Sequence, residues 1–154
     1  MRRDSLFFGL PAVVVLTVGL IICARDGLYD GIVFSVAEIA GLTLLVAGLT
    51  IMLIGQATLK RSYSGTLIVR RDHKLVTHGI YRFTRHPIYL GAIIGLCIGI
   101  PLFALSLYGF LILSALIPIA LNRIRMEEGM LTEEYGEAYR SYRERTSKLI
   151  PLIY

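Results

Sequence analysis

Three long charge-poor runs constrain this chain more than anything else in it. Leu6–Ala24 holds 19 residues without a charge, Ile32–Gly55 holds 24 with one charge, Glu38, and Ile88–Leu121 holds 34 with none. A helix needs about 20 apolar residues to cross the hydrocarbon core of a bilayer. The third run is too long for one crossing and just long enough for two, and Pro101 near its middle is the natural turn. The expected fold is therefore an all-α integral membrane protein. It has four spans near 6–24, 32–55, 88–101 and 103–121, the last two forming a tight hairpin. A cytoplasmic loop, 56–87, and a cytoplasmic amphipathic helix, 122–145, complete a single domain, 1–154. Each half of the hairpin is short, so a partly re-entrant hairpin is the alternative. Composition agrees: 55% of the residues are hydrophobic and the mean hydropathy is +0.67, above the usual soluble range of roughly 45–50% apolar.

The N-terminal run could also be the core of a signal peptide behind Arg2 and Arg3. It is long for that, and Cys-Ala-Arg-Asp is a poor cleavage site, so a span is expected. Basic residues set the orientation. Lys60, Arg61, Arg70, Arg71, Lys74, Arg82 and Arg85 crowd the second loop against a single Asp72, and Arg123 and Arg125 open the tail. Four spans with both termini in the cytoplasm place all of these on one side. Short loops and a compact chain point to a prokaryotic inner membrane. The net charge of +5 is no sign of nucleic-acid binding, because the basic residues lie between apolar spans rather than on a polar domain. Cys23 and Cys97 lie inside apolar runs and form no CxxC, so they are expected to be packing groups. No metal site is expected.

Small residues mark the helix contacts. Gly91, Gly95 and Gly99 recur every four residues, a pattern that lets membrane helices approach closely. Gly41 and Gly48 offer the same in the second span. Pro118 leaves the carbonyl of Ser114 without a helical partner and should kink the fourth span. Glu38 is expected about 9 Å inside the second span at 1.5 Å per residue, in a structural or channel-lining role.

The chemistry concentrates in two segments that share the cytoplasmic side. In residues 78–91, HGIYRFTRHPIYLG, His86 precedes Pro87 and is biased away from helix. Pro87 suits the first helical turn, which holds Arg85 and His86 at a helix N-terminus able to attract anions. Tyr81 and Tyr89 flank them, and Tyr faces can hold a cation. His73 and His78, taken alone, read as interfacial residues. In the tail, Ile124, Leu131, Tyr135, Tyr139 and Tyr142 form a helical stripe. At 100° per residue Glu128 points with Ile124, and Glu127 lies at the edge of that face, one turn from Arg123. A buried Glu needs a partner, from the basic loop or from the amino group of a ligand. An anion site, aromatic faces and carboxylates together suit a zwitterionic or sulfonium ligand.

The segment LVTHGIYRFTRHPIYLG (75–91), followed by an Arg-xxx-Glu-Glu helix and a Tyr-Gly-xx-Tyr-xx-Tyr tail ending near Pro151, resembles the isoprenylcysteine carboxyl methyltransferases. It also looks like the wider membrane group that includes phospholipid N-methyltransferases. The match covers about 75–154. The resemblance implies S-adenosylmethionine as cofactor, bound on the cytoplasmic side, in a chain that has no strand–GxGxxG–helix unit. It implies cofactor contacts at His73, Lys74, Leu75, Val76, Tyr81, His86, Pro87, Ile88, Tyr89 and Glu127, with Arg85 in the same motif. It places Arg123 at the methyl acceptor and leaves Glu128 a candidate for catalysis. Tyr135-Gly136 stands where the family commonly has Phe-Gly, and the spans are fewer than in the animal enzymes.

The implied partners are the bilayer and a lipophilic methyl acceptor. A carboxylate acceptor is already anionic, so Arg123 need only orient it. A phospholipid amine would need a base, for which Glu127 or Glu128 are candidates. A small thiol would need ionisation near the basic loop. Readings of another class are a non-enzymatic protein binding anionic lipid through the loop and a small transporter with Glu38 in its pathway.

Overall fold

In the computed structural model, residues 2–27, 35–59 and 75–151 are described, with side chains in the first segment from Pro11 onward. Among these residues the regular elements are all helical, with no strand. Helix α1 is Arg2–Gly27 and α2 is Val36–Leu59. After a short 3₁₀ turn at Gly79–Arg82, α3 runs Pro87–Phe103, α4 runs Leu107–Tyr135 and α5 is Glu137–Arg145. Helices α2 and α4 are long and apolar enough to cross a membrane, and α3 is shorter.

Helix α2 is built inside out. Its buried residues are Gly41, Gly48 and Gly55, whereas Val36, Ile39, Leu42, Val46, Leu49, Leu53 and Ile54 face outward. In water that arrangement would waste the apolar surface that drives folding. In lipid it is what close packing demands, because apolar side chains gain nothing by leaving the tails and backbones gain contact by approaching. The expected stripe on α3 is the other half of this seam. A Cβ built on Gly48 would lie 2.5 Å from the carbonyl oxygen of Gly91 and from the backbone nitrogen of Gly95. Helix α1 packs mainly on α4, where Cys23, Ala104 and Leu113 form a small core.

The apolar run 88–121 does form a hairpin, but it does not turn at Pro101. Proline lies within α3, directly after a stretch of wider, π-type turns at Ile93–Gly99. Widening the helix there relieves the clash that a proline ring makes with the carbonyl four residues back. The turn falls at 104–106. Leu105 takes a left-handed φ of 49°, and Ser106 caps α4 by accepting the Gly109 N–H at 2.9 Å. The Ser106 hydroxyl also donates to Asp26, which ties this turn to the end of α1. Ser106 is thus the residue that sets the corner.

Three residues before Pro118, the α4 helix is interrupted at Ala115, between Leu107–Ser114 and Leu116–Tyr135. The tail differs from the single helix expected over 122–145. Residues 116–135 continue the membrane helix without a break, and Gly136, at φ 51° and ψ −121°, ends it before α5. Only glycine adopts that backbone readily, so Gly136 makes the bend.

Glu38 is also differently placed. Helix α2 begins at Val36, so Glu38 lies in its first turn rather than two turns inside. Its Oε2 accepts the Ser35 N–H at 2.6 Å, and its own N–H reaches Ser35 Oγ at 3.3 Å. This is a reciprocal capping box, Ser-x-x-Glu. The carboxylate is used to start the helix, which accounts for Glu38 without a transport role.

Candidate functional site

The N-terminus of α3 and the last third of α4 meet at one end of the bundle. Pro87 opens α3, supplying the fixed φ of a first turn where its missing N–H has no cost. His86 just ahead of it is non-helical, at φ −127° and ψ 58°. This aims the imidazole at α4 instead of letting it wind into the helix. On α4, Ile124 and Glu128 are buried together, as the 100° rule placed them. Glu127 is half-buried beside Arg123, one turn away.

Two interlocked clusters result. In the first, the Tyr89 hydroxyl donates to Glu127 Oε1 at 2.5 Å and accepts from Arg123 Nε at 3.1 Å. Arg123 Nε also lies 3.4 Å from Glu127 Oε1. In the second, Arg85 Nε donates to Glu128 Oε1 at 2.9 Å, and Lys148 Nζ stands 3.5 Å from Glu128 Oε2. His86 joins the clusters, with Nε2 3.5 Å from Glu128 Oε1 and Nδ1 3.9 Å from Glu127 Oε2. Its ring meets that of Tyr89 edge-on at 5.9 Å.

Electrostatics separate the two acids. Burial pushes the Glu128 carboxyl up, but hydrogen bonding from His86 and Arg85 and the charges of both outweigh it, and the value falls from 4.5 to about 2. A carboxylate held that low is a poor proton acceptor at neutral pH. That argues against Glu128 as the base that an amine acceptor would call for. Glu127 is the more open of the two and faces His86 and Tyr89.

Arg85, expected at the α3 N-terminus beside His86, reaches toward the tail. Its Nη1 donates to the carbonyls of Arg143, at 3.0 Å, and Thr146, and its backbone N–H donates to Ser147 O at 2.9 Å. With Glu128 it forms a clasp that fastens the end of α5 to the 81–86 segment. Thr84 pairs with Ser147 as an isolated parallel bridge, and the Tyr142 hydroxyl donates to Tyr81 O at 2.7 Å. Tyr81 itself is buried under the tail. Pro87 and Ile88 face α2, where a Cβ on Gly55 would lie 3.4 Å and 3.0 Å from their side chains. Leu75 and Val76 are half-buried just ahead of the 3₁₀ turn. His73 and Lys74 lie outside the described residues.

Thr84, Lys148 and the Tyr142 hydroxyl were not singled out from the sequence. Thr84 sits within the dense 78–91 segment and could have been found there. Lys148 lies beyond the periodic stripe and carries no local signal. On the opposite face of α4 from Glu127, an open cleft of about 520 Å³ is lined by Arg125, Gly129, Thr132, Glu133, Arg140 and Arg143, with Glu128 as its inner wall. Among the described residues no group of three or more His, Cys, Asp or Glu is placed to hold a metal.

A model of the isoprenylcysteine carboxyl methyltransferase family matches residues 33–133, which include every residue of both clusters but Lys148. The chain belongs to that family. Protein-S-isoprenylcysteine O-methyltransferase of Schizosaccharomyces pombe is 31% identical over 132 residues, covering 79% of this chain and 52% of the relative. Protein-S-isoprenylcysteine O-methyltransferase B of Arabidopsis thaliana is 31% identical over 124 residues, 73% of this chain and 58% of the relative. Methanethiol S-methyltransferase 1 of Bradyrhizobium diazoefficiens is 38% identical over 73 residues, 47% of this chain and 24% of the relative. The chain thus spans a little over half the length of the isoprenylcysteine relatives. Family membership makes it a relative of enzymes that transfer methyl groups, and the apolar helices fit a membrane setting.

Proposed function

We propose that the chain is an integral-membrane methyltransferase that uses S-adenosylmethionine and acts at the cytoplasmic face on the carboxylate of an isoprenylcysteine-type acceptor. The observation that carries this reading is the Arg123–Tyr89–Glu127 cluster. It holds a guanidinium, a phenol and a carboxylate at the junction of α3 and α4. The four helices α1 to α4 cross the bilayer, with both termini and the site on the cytoplasmic side. The inside-out packing of α2 supports the first part and the Lys/Arg distribution supports the second.

The residues fit the cofactor on their own chemistry. Glu127 Oε2 and His86 Nδ1 face each other at 3.9 Å, and Tyr89 adds an aromatic edge, which suits a ligand bearing an ammonium group, hydroxyls and a sulfonium. When bound, S-adenosylmethionine supplies an electrophilic methyl group. The chain's own work is positioning, which can account for ~7–11 kcal/mol of a bimolecular barrier. Arg123 orients an anionic acceptor by charge-assisted hydrogen bonds, and a carboxylate nucleophile requires no base. Low basicity at Glu128 leaves Glu127 as the base candidate for an amine acceptor. The small-thiol reading is kept as the alternative, because the methanethiol relative is 38% identical over 73 residues.

The test is calorimetric titration of detergent-purified protein with S-adenosylmethionine, wild type beside Glu127→Ala and His86→Ala. Saturable binding, lost in both variants, supports the cofactor site and opens a screen of prenylcysteines, thiols and phospholipid amines. A folded wild type that takes up no cofactor sinks the reading.

A further inference from the structure

In the proposed reaction Glu128 has no part, yet it is buried, ionised and held from three sides. We propose that Glu128 is the positioning residue of His86. It fixes Nε2 as the nitrogen that carries the proton, so that Nδ1 is presented to Glu127 as a lone-pair acceptor, and Nδ1 and Glu127 Oε2 together take one N–H or O–H donor of the bound ligand. The inference rests on the cofactor reading of the His86–Glu127 pair and assigns each of its atoms a role.

Three observations carry it. First, His86 Nε2 is buried and makes no full hydrogen bond among the described residues. The polar atom it faces is Glu128 Oε1, at 3.5 Å. Second, that carboxylate is not free to turn away, since Arg85 grips Oε1 at 2.9 Å and Lys148 stands 3.5 Å from Oε2. An ionised carboxylate can only accept, and Nε2 stands closer to Glu128, at 3.5 Å, than Nδ1 does to Glu127, at 3.9 Å, so in a neutral imidazole the single proton goes to Nε2 and Nδ1 carries the lone pair. A carboxylate that orients a functional histidine is a recurring device. Third, Nδ1 lies 3.9 Å from Glu127 Oε2, while the other Glu127 oxygen takes the Tyr89 hydroxyl. Two acceptors facing each other repel until a donor arrives between them. A ligand hydroxyl or ammonium hydrogen satisfies both, and the edge-on Tyr89 ring keeps the imidazole from swinging aside.

The two nitrogens can be separated by substitution in the full chain. His86→Gln returns an amide N–H near the place of Nε2, and His86→Asn returns a polar atom near the place of Nδ1. Thermal unfolding is measured without ligand, and S-adenosylmethionine affinity by calorimetry well below the unfolding midpoint. His86→Gln is expected to keep the midpoint of wild type and to weaken binding by ~30-fold or more. His86→Asn is expected to lower the midpoint by ~3 °C or more and to keep affinity within ~5-fold of wild type. Glu128→Gln, which also deprives Arg85 of its carboxylate, should weaken binding ~10-fold in wild type and add nothing in the His86→Gln background. Equal loss of affinity in the Asn and Gln variants, or a Glu128→Gln effect that adds fully to His86→Gln, overturns the inference. A wild type that binds no S-adenosylmethionine overturns the cofactor reading and the ligand half of this inference. The stability order of Gln over Asn is read without ligand and decides the Glu128–Nε2 contact separately.

Discussion

Arg85 and Glu128, 43 residues apart in the chain, meet at 2.9 Å with side chains 9% and 10% exposed. A pair so far from water is costly to make and costlier to halve, because removing one member strands the other charge. Arg85→Ala should therefore destabilise the protein by about 3–5 kcal/mol. Arg85→Met with Glu128→Leu should cost less than the sum of the two single changes. Denaturation of the four proteins in one detergent measures this. Additive effects would mean that the pair is not the clasp described.

The same carboxylate makes stability depend on pH. Glu128 titrates at about 2 when folded, against an ordinary 4.5. A depressed acid contributes its stabilisation above the unfolded value and loses it as pH falls through the folded one. The thermal midpoint should hold down to about pH 5 and then fall between pH 4.5 and 2. In Glu128→Gln the overall midpoint is lower and this part of the slope is absent. Midpoints taken across pH 7 to 3 in both proteins check it, and parallel curves would assign the acid sensitivity to other groups.

Glycines at two positions should respond in opposite senses. A Cβ on Gly48 would enter the backbone of α3 at 2.5 Å, whereas nothing lies within 4 Å of one on Gly129. Gly48→Ala forces α2 and α3 apart and should cost about 1–3 kcal/mol. Gly129→Ala only removes unfolded-state freedom from a helix and should gain about 0.5–1 kcal/mol. Paired thermal melts decide it, and a neutral Gly48→Ala would place the α2–α3 seam elsewhere.

What could be read in advance follows the range of each interaction. The α3 glycine stripe was legible because spacing along one helix fixes a face, and the burial of Glu128 with Ile124 followed from the same 100° rule. The start of α2 was misplaced because counting apolar residues ignores caps. Ile32–Phe34 extend the apolar run, but Ser35 and Glu38 pair across a helix start. The Gly136 bend was hidden because the stripe from Ile124 to Tyr142 continues through it with almost unchanged spacing. Arg85 was assigned to a ligand because its partners, Glu128, Arg143 and Thr146, are 43 to 61 residues away. No local pattern announces a partner at that distance.

Arg123 discriminates among acceptors. Its Nε is fixed by Tyr89 and Glu127, so its charge is held at the α3–α4 junction. If the acceptor is a carboxylate, Arg123→Ala should lower turnover by roughly 10- to 100-fold, about 1.4–2.7 kcal/mol of transition-state stabilisation. If His86 and Glu127 hold the cofactor as proposed, S-adenosylmethionine affinity should fall much less than turnover. Arg123→Lys keeps the charge but loses the planar fork and should recover only part of the rate. An acceptor that ionises to a thiolate gives a different pattern. It needs a point charge rather than a fork, so Lys should then restore most of the turnover. Steady-state kinetics of the three proteins with a prenylcysteine and with a small thiol, each at saturating cofactor, separate the two. Full activity of Arg123→Ala with both acceptors would remove Arg123 from the acceptor site.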